Sequence, residues 1–106
     1  MAAISPRRRL IRRLEALGVE YRPVKGRDDG FAGLFYRGKA FAHFHNDHEL
    51  DIRLTRAVIE REGLSRPTDS TVHPTRSAKS PWIEIRFRTS REVDRIVRLV
   101  RLAIVV

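Results

Sequence analysis

The run from Phe31 to His45 constrains the fold more than any other stretch of the chain. It is apolar and aromatic on both sides of a single break, Arg37-Gly38. Two such arms about a two-residue break predict a β-hairpin. Arginine is not a favoured partner for glycine in such a turn, so the register must come from the pattern of the arms. A two-residue turn sets Tyr36 opposite Lys39, Phe35 opposite Ala40, Gly33 opposite Ala42 and Phe31 opposite Phe44. Side chains alternate between faces along a strand. Phe31, Gly33, Phe35, Ala40, Ala42 and Phe44 are therefore expected on one apolar face. Leu34, Tyr36, Phe41, His43 and His45 are expected on the other.

The flanking segments extend this hairpin into a sheet. Residues 19–25 read as a short strand, and Pro23 puts it at an edge because proline cannot donate to a ladder. Leu50, Ile52 and Leu54 alternate with Asp51 and Arg53, the pattern of a half-buried strand. Trp82 to Arg88 is the clearest strand, with Ile83, Ile85 and Phe87 on one face and Trp82, Glu84, Arg86 and Arg88 on the other. Helices frame the strands. Ser5-Pro6 starts one over 6–17, with Leu10, Ile11, Leu14 and Leu17 on one side and Gly18 as its stop. Thr55 caps a second that runs to about Glu62, with Leu54 and Ile59 as a hydrophobic staple. Thr89 and Glu92 form a capping box for the last, whose buried stripe is Val93, Ile96, Val97, Val100 and Ile104. Between 65 and 81 lies a long loop with three prolines, of the kind that forms lids. Short turns between strands imply an antiparallel sheet. The expected class is α+β: four to five strands with helices packed on one face.

At 106 residues the chain has room for one small domain, spanning 1–106. No cysteine is present, which excludes disulfide scaffolds, thiolate metal sites and cysteine nucleophiles. No apolar run reaches the roughly 20 residues of a membrane span, and no signal-like segment follows the N-terminal arginines. A soluble, cytoplasmic protein of bacterial type, with no membrane partner, is the expectation.

The net charge is +9, and the two ends carry the excess. Arg7, Arg8, Arg9, Arg12 and Arg13 crowd the first helix, where positive charge opposes the helix dipole. Arg91, Arg95 and Arg98 line the polar side of the last. Together they offer a phosphate-gripping surface, and nucleic acid is one candidate partner. No recognised nucleic-acid motif accompanies them. A basic composition also arises without any such partner. Leu99 and Leu102 fall on the polar side of the last helix, and with the apolar C-terminus they point to self-association, a homodimer through that helix.

The densest chemistry is His43-Phe44-His45-Asn46-Asp47-His48, with His73-Pro74 further on. On a strand His43 and His45 project to the same side, about 6 to 7 Å apart. Two imidazoles so placed can face one ligand as acid and base, or one divalent metal. With Asp51 or Glu49 they make a two-histidine, one-carboxylate set suited to iron, and with a third histidine a set suited to zinc. Surface histidines beside a turn also occur without any function. No cofactor is fixed by the sequence. Phe41, Leu34, Tyr36 and Trp82 are candidates for an apolar pocket wall, and Arg53, Arg86 and Arg88 for anion holders, with core packing and solvated surface as the plainer roles.

As an ordered set, Ala42-His43-Phe44-His45-Asn46-Asp47-His48, Ile52-Arg53-Leu54, His73-Pro74 and Trp82-Ile83-Glu84-Ile85 before an amphipathic helix resemble the luciferase-domain family. The resemblance covers about residues 30–105. That family includes small bacterial proteins and the fungal luciferases, which oxidise a hydroxylated pyrone with molecular oxygen and no bound organic cofactor. The resemblance implies a pocket bounded by His43, His45, His48 and His73. In bacterial relatives the position of His48 is less constant, and an acidic residue near Asp51 is usual. Resemblance and residue pattern together give a site for a small organic ligand, with His43, His45 and His73 catalytic and His48, Asp51, Arg53, Phe41, Tyr36 and Trp82 around the ligand, of which Arg53, Phe41 and Tyr36 rest on the residue pattern alone. Oxygenation without a cofactor fits a histidine base. Light emission does not follow, because a shared domain does not carry a shared reaction. The alternative function is a basic nucleic-acid-binding or protein-interaction module without catalysis.

Overall fold

The computed structural model describes residues 4–70 and 76–105. Five antiparallel strands form one sheet in chain order, an α+β architecture with three helices among the described residues. The elements are α1 (Pro6–Glu15), β1 (Val19–Pro23), β2 (Ala32–Tyr36), β3 (Lys39–Phe44), β4 (Glu49–Arg53), α2 (Arg56–Arg61), β5 (Trp82–Arg86) and α3 (Ser90–Ile104). β1 is an edge strand, as Pro23 demands. The caps follow the sequence. Ser5 Oγ accepts from the Arg8 amide at 3.2 Å, Thr55 Oγ1 from the Val58 amide at 3.1 Å, and Thr89 and Glu92 close the capping box of α3.

The hairpin forms, but its register differs from the simple expectation. Arg37 and Gly38 both take positive φ, 50° and 80°, as a two-residue type I′ turn requires. Tyr36 and Phe35 pair with Lys39 and Ala40 as expected. Then Phe41 is the extra residue of a β-bulge, and pairing resumes as Leu34 with Ala42, Gly33 with His43 and Ala32 with Phe44. The bulge flips the first half of β2 relative to the predicted faces. Ala32 and Leu34, rather than Gly33 and Phe35, share the apolar side with Ala42 and Phe44. That side is continuous with Leu50 and Ile52 of β4 and Ile85 and Ile83 of β5, which are their cross-strand partners. One unbroken apolar layer is the physical gain from the bulge.

Phe31 and Phe35 are thereby moved to the histidine side. Phe31 stacks on His43 with ring centroids 5.3 Å apart. The Phe35 ring covers Gly33, where a Cβ would stand 2.8 Å from Phe35 Cε1, and Arg22 lies 3.9 Å above that ring. His43 and His45 still face away from Phe44, since they alternate with it along the strand.

The core joins this apolar sheet layer to Leu10 and Leu14 of α1, Ile59 of α2, and Val93, Ile96, Val97 and Val100 of α3. Phe87 belongs to it too, edge-on to Phe44 at 5.7 Å. The expectation that Leu99 lies on the polar side of the last helix is overturned, because Leu99 is fully buried. α1 packs along α3, with Arg9 donating to Ser90 and Arg13 paired to Asp94, so α3 buries a wider arc than one sheet face needs. Leu102 is half-buried, and Val105 is the most exposed large apolar residue described. No described helix is long and apolar enough to cross a membrane.

Candidate functional site

The second face of the sheet is built from charge. Glu49, Asp51 and Glu84 alternate with the apolar residues of β4 and β5, and all three are buried. A half-buried strand is the expectation for β4, yet Glu49 to Ile52 is buried on both sides. The cover comes from the loop between α2 and β5. Ser70 Oγ donates to Glu49 at 3.0 Å, and Asp69 pairs with Arg86 at 2.7 Å. Arg66 meets Glu84 at 3.0 Å. Arg76 reaches both Asp51 oxygens at 2.6 and 2.7 Å, and Glu84 at 2.5 Å. Arg86 completes the group 3.4 Å from Glu49. Three buried carboxylates therefore meet three guanidiniums, which is the condition for burying such charge at all.

His43 and His45 enter this layer from β3. Cross-strand pairing sets His43 beside Asp51, with Nε2 3.5 Å from Oδ2. His45 lies deeper. Its Nδ1 is 2.8 Å from Glu49 Oε2, its Nε2 is 3.8 Å from Asp51, and its side chain is 4% exposed. The two rings are 5.1 Å apart, and the Trp82 ring lies 5.6 Å from that of His43. His43 thus sits among Phe31, Trp82 and His45, with a quarter of its side chain exposed at 25%. It is the member of the pair that a ligand can reach.

Electrostatics separate the groups further. Burial favours a neutral Asp51, but hydrogen bonds from His45 and Arg76 and the Arg76 charge outweigh it and hold the carboxyl at about 2. Burial likewise disfavours the imidazolium of His45, and the hydrogen bonds to Asp51 and Glu49 reverse that and raise its pKa. His45 is the anchoring histidine of the pair, held by Glu49 and Asp51.

The remaining candidates distribute unevenly. His48 is exposed in the β3–β4 turn, where its amide donates to Asn46 Oδ1 at 2.8 Å and its carbonyl accepts from Phe87 at 2.9 Å. His73 lies outside the described residues. Tyr36, Phe41 and Arg53 do not join the histidines. They line a separate cavity of about 540 Å³ at the end of the sheet nearest the hairpin turn. Sequence reasoning missed Arg66 and Arg76, whose partners lie across the sheet, and left Glu84 as a strand-face residue. The signal for Glu84 was its alternation with Ile83 and Ile85, opposite Asp51.

The basic residues split as well. Arg7 is not part of a phosphate-facing surface. Its guanidinium donates to the carbonyls of Gly30 and Asn46 and to Tyr21 Oη, and stacks 4.3 Å over Phe44 with 13% of its side chain exposed. Arg9 and Arg13 are engaged by α3, and Arg98 by Glu62. Arg8, Arg12, Arg91 and Arg95 are exposed and lie on two helices that touch.

His43, His45 and Asp51 can present ligand atoms all within 4.8 Å of one another. Both Asp51 oxygens already accept from Arg76, so a cation there would compete with a guanidinium. The family model described as Luciferase domain matches residues 38–103, which include β3, β4, β5 and most of α3. Neither the curated proteins nor the solved structures yield a match.

Proposed function

Because this chain belongs to the luciferase-domain family, we propose that the polar face of its sheet binds a small hydroxylated aromatic or enolic molecule and ionises it, with His43 as the base, in an oxygenase-type role. One observation carries the reading. His43 alone of the pair is both accessible and backed by a carboxylate that is held ionised. With Nε2 facing Asp51, a proton held on Nε2 leaves Nδ1 as the acceptor. The ligand O–H proton passes to Nδ1, and the electron pair stays on the ligand oxygen. Asp51 then faces an imidazolium, and Arg76 keeps Asp51 ionised throughout. Phe31 and Trp82 supply flat apolar walls for a ring to stack on. The enolate formed in this way is the electron-rich species that reacts with oxygen.

Trp82 is the only tryptophan in the chain, so its fluorescence reports this site alone. Hydroxylated 2-pyrones and phenols are expected to quench it on binding, and oxygen uptake with the productive ligand is expected to disappear in His43→Ala. Quenching without uptake would reduce the site to binding. No quenching by any hydroxylated ring would overturn the reading.

The 4.8 Å clustering of His43, His45 and Asp51 favours a second reading, a divalent metal held by two imidazoles and one carboxylate. It requires Arg76 to release Asp51. Metal analysis of the purified protein tests it. A stoichiometric metal, lost in His43→Ala, would replace the metal-free proposal.

A further inference from the structure

The cavity at the hairpin end of the sheet is a second site, and we propose that it takes a small amphipathic anion, an apolar body carrying a carboxylate or similar group. Its floor is apolar, with Phe41 and Leu54 buried and Ile104 half-buried. Its rim carries Arg37, Lys39 and Arg53, all exposed. No carboxylate occurs among the described residues that line it. At about 540 Å³ it falls in the range of small-molecule sites.

Cations elsewhere on the surface divide into paired ones and exposed ones such as Arg8, Arg12, Arg91 and Arg95 that make no ion pair among the described residues. Arg13, Arg22, Arg27, Arg66, Arg76 and Arg98 each have a carboxylate partner. Among the described residues Arg37, Lys39 and Arg53 have none. Arg37 is held instead against Tyr36, its guanidinium 5.3 Å from the ring, and its left-handed backbone fixes where it leaves the turn. A concave apolar wall edged by three cations focuses positive potential and selects against neutral and cationic ligands. Arg53 stands opposite Trp82 in the sheet, yet the cavity lining includes neither histidine, so this site is distinct from the His43 site.

Calorimetric titration with 4-phenylbutyrate, 4-phenylbutanol and 4-phenylbutylammonium separates the possibilities. The anion is expected to bind about tenfold or more tightly than the alcohol, as a charge-assisted hydrogen bond allows, with the ammonium weakest. The Lys39→Gln, Arg53→Gln double variant changes only exposed side chains and should erase the preference. His43→Gln should retain it, which keeps a failure here separate from a failure of the histidine site. Equal binding of the three ligands, or an unchanged preference in the double variant, would overturn the proposal. So would binding to anionic phosphatidylglycerol vesicles with none to the monomeric carboxylate.

Discussion

Arg76 grips Asp51 through two parallel hydrogen bonds of 2.6 and 2.7 Å, joining the loop before β5 to the middle of the sheet. Asp51 is fully buried, and so is Glu84, which the same guanidinium reaches. Arg76→Met should therefore take the guanidinium from buried Asp51 and leave Glu84 to Arg66, a loss of about 3 to 5 kcal/mol. Urea denaturation at neutral pH checks this. An unchanged midpoint would mean that the loop does not hold the polar face.

The pH dependence of stability follows from two groups of opposite sign. The Asp51 carboxyl is lowered from 3.8 to about 2, so its contribution is present above about pH 4 and fades as the pH falls toward 2. His45 is raised above 6.5, so its contribution is complete below that value and is lost as the pH rises through the folded-state pKa. Melting temperature should plateau between about pH 4 and 6.5 and decline on both sides. His45→Gln should remove the alkaline decline. A melting temperature that climbs from pH 6 to pH 8 would contradict the assignment.

Val97 is 4% exposed in the packed arc of α3. Val97→Asp places an unpaired carboxylate in that core, and a loss of about 3 to 5 kcal/mol is expected, enough to unfold a marginal domain. Arg95→Ala, on the exposed side, should shift the melting temperature by no more than about 2 to 4 degrees, as surface substitutions usually do. A cooperative Val97→Asp transition at the wild-type temperature would show that α3 does not pack this way.

Arg7 and Arg12 separate structure from surface. Arg7→Ala removes hydrogen bonds to Gly30, Asn46 and Tyr21 and should cost about 1.5 to 3 kcal/mol. Arg12→Ala should be silent in stability. If the exposed arginines of α1 and α3 bind nucleic acid, Arg12→Ala should instead reduce the salt slope by about 0.9. Equal stability losses for the two variants would contradict the division.

The strands, their order and the helix caps were legible because each rests on local pattern: Ile83, Ile85 and Phe87 in alternation, and Thr89 with Glu92 at capping-box spacing. The face assignment of β2 was not, because a bulge at Phe41 is chosen by the layer it completes across β4 and β5, not by neighbours in sequence. The His43 and His45 pair was readable from spacing alone. Its partners Arg66 and Arg76 were not, since they come from a loop whose path no periodicity describes. Arg7 looked like one more surface arginine, and only the fold places Gly30, Asn46 and Tyr21 around it.

The central claim is that His43, backed by Asp51, takes a proton from a bound hydroxylated ring. The most direct measurement is the absorbance of bound 4-nitrophenol, coloured as its phenolate, at a pH where the free molecule is mostly neutral, with Trp82 quenching as the measure of binding. Wild type should hold the phenolate, and His43→Gln should bind the same molecule in its colourless form. A colourless bound phenol in the wild type, or a phenolate that persists in His43→Gln, would contradict the account.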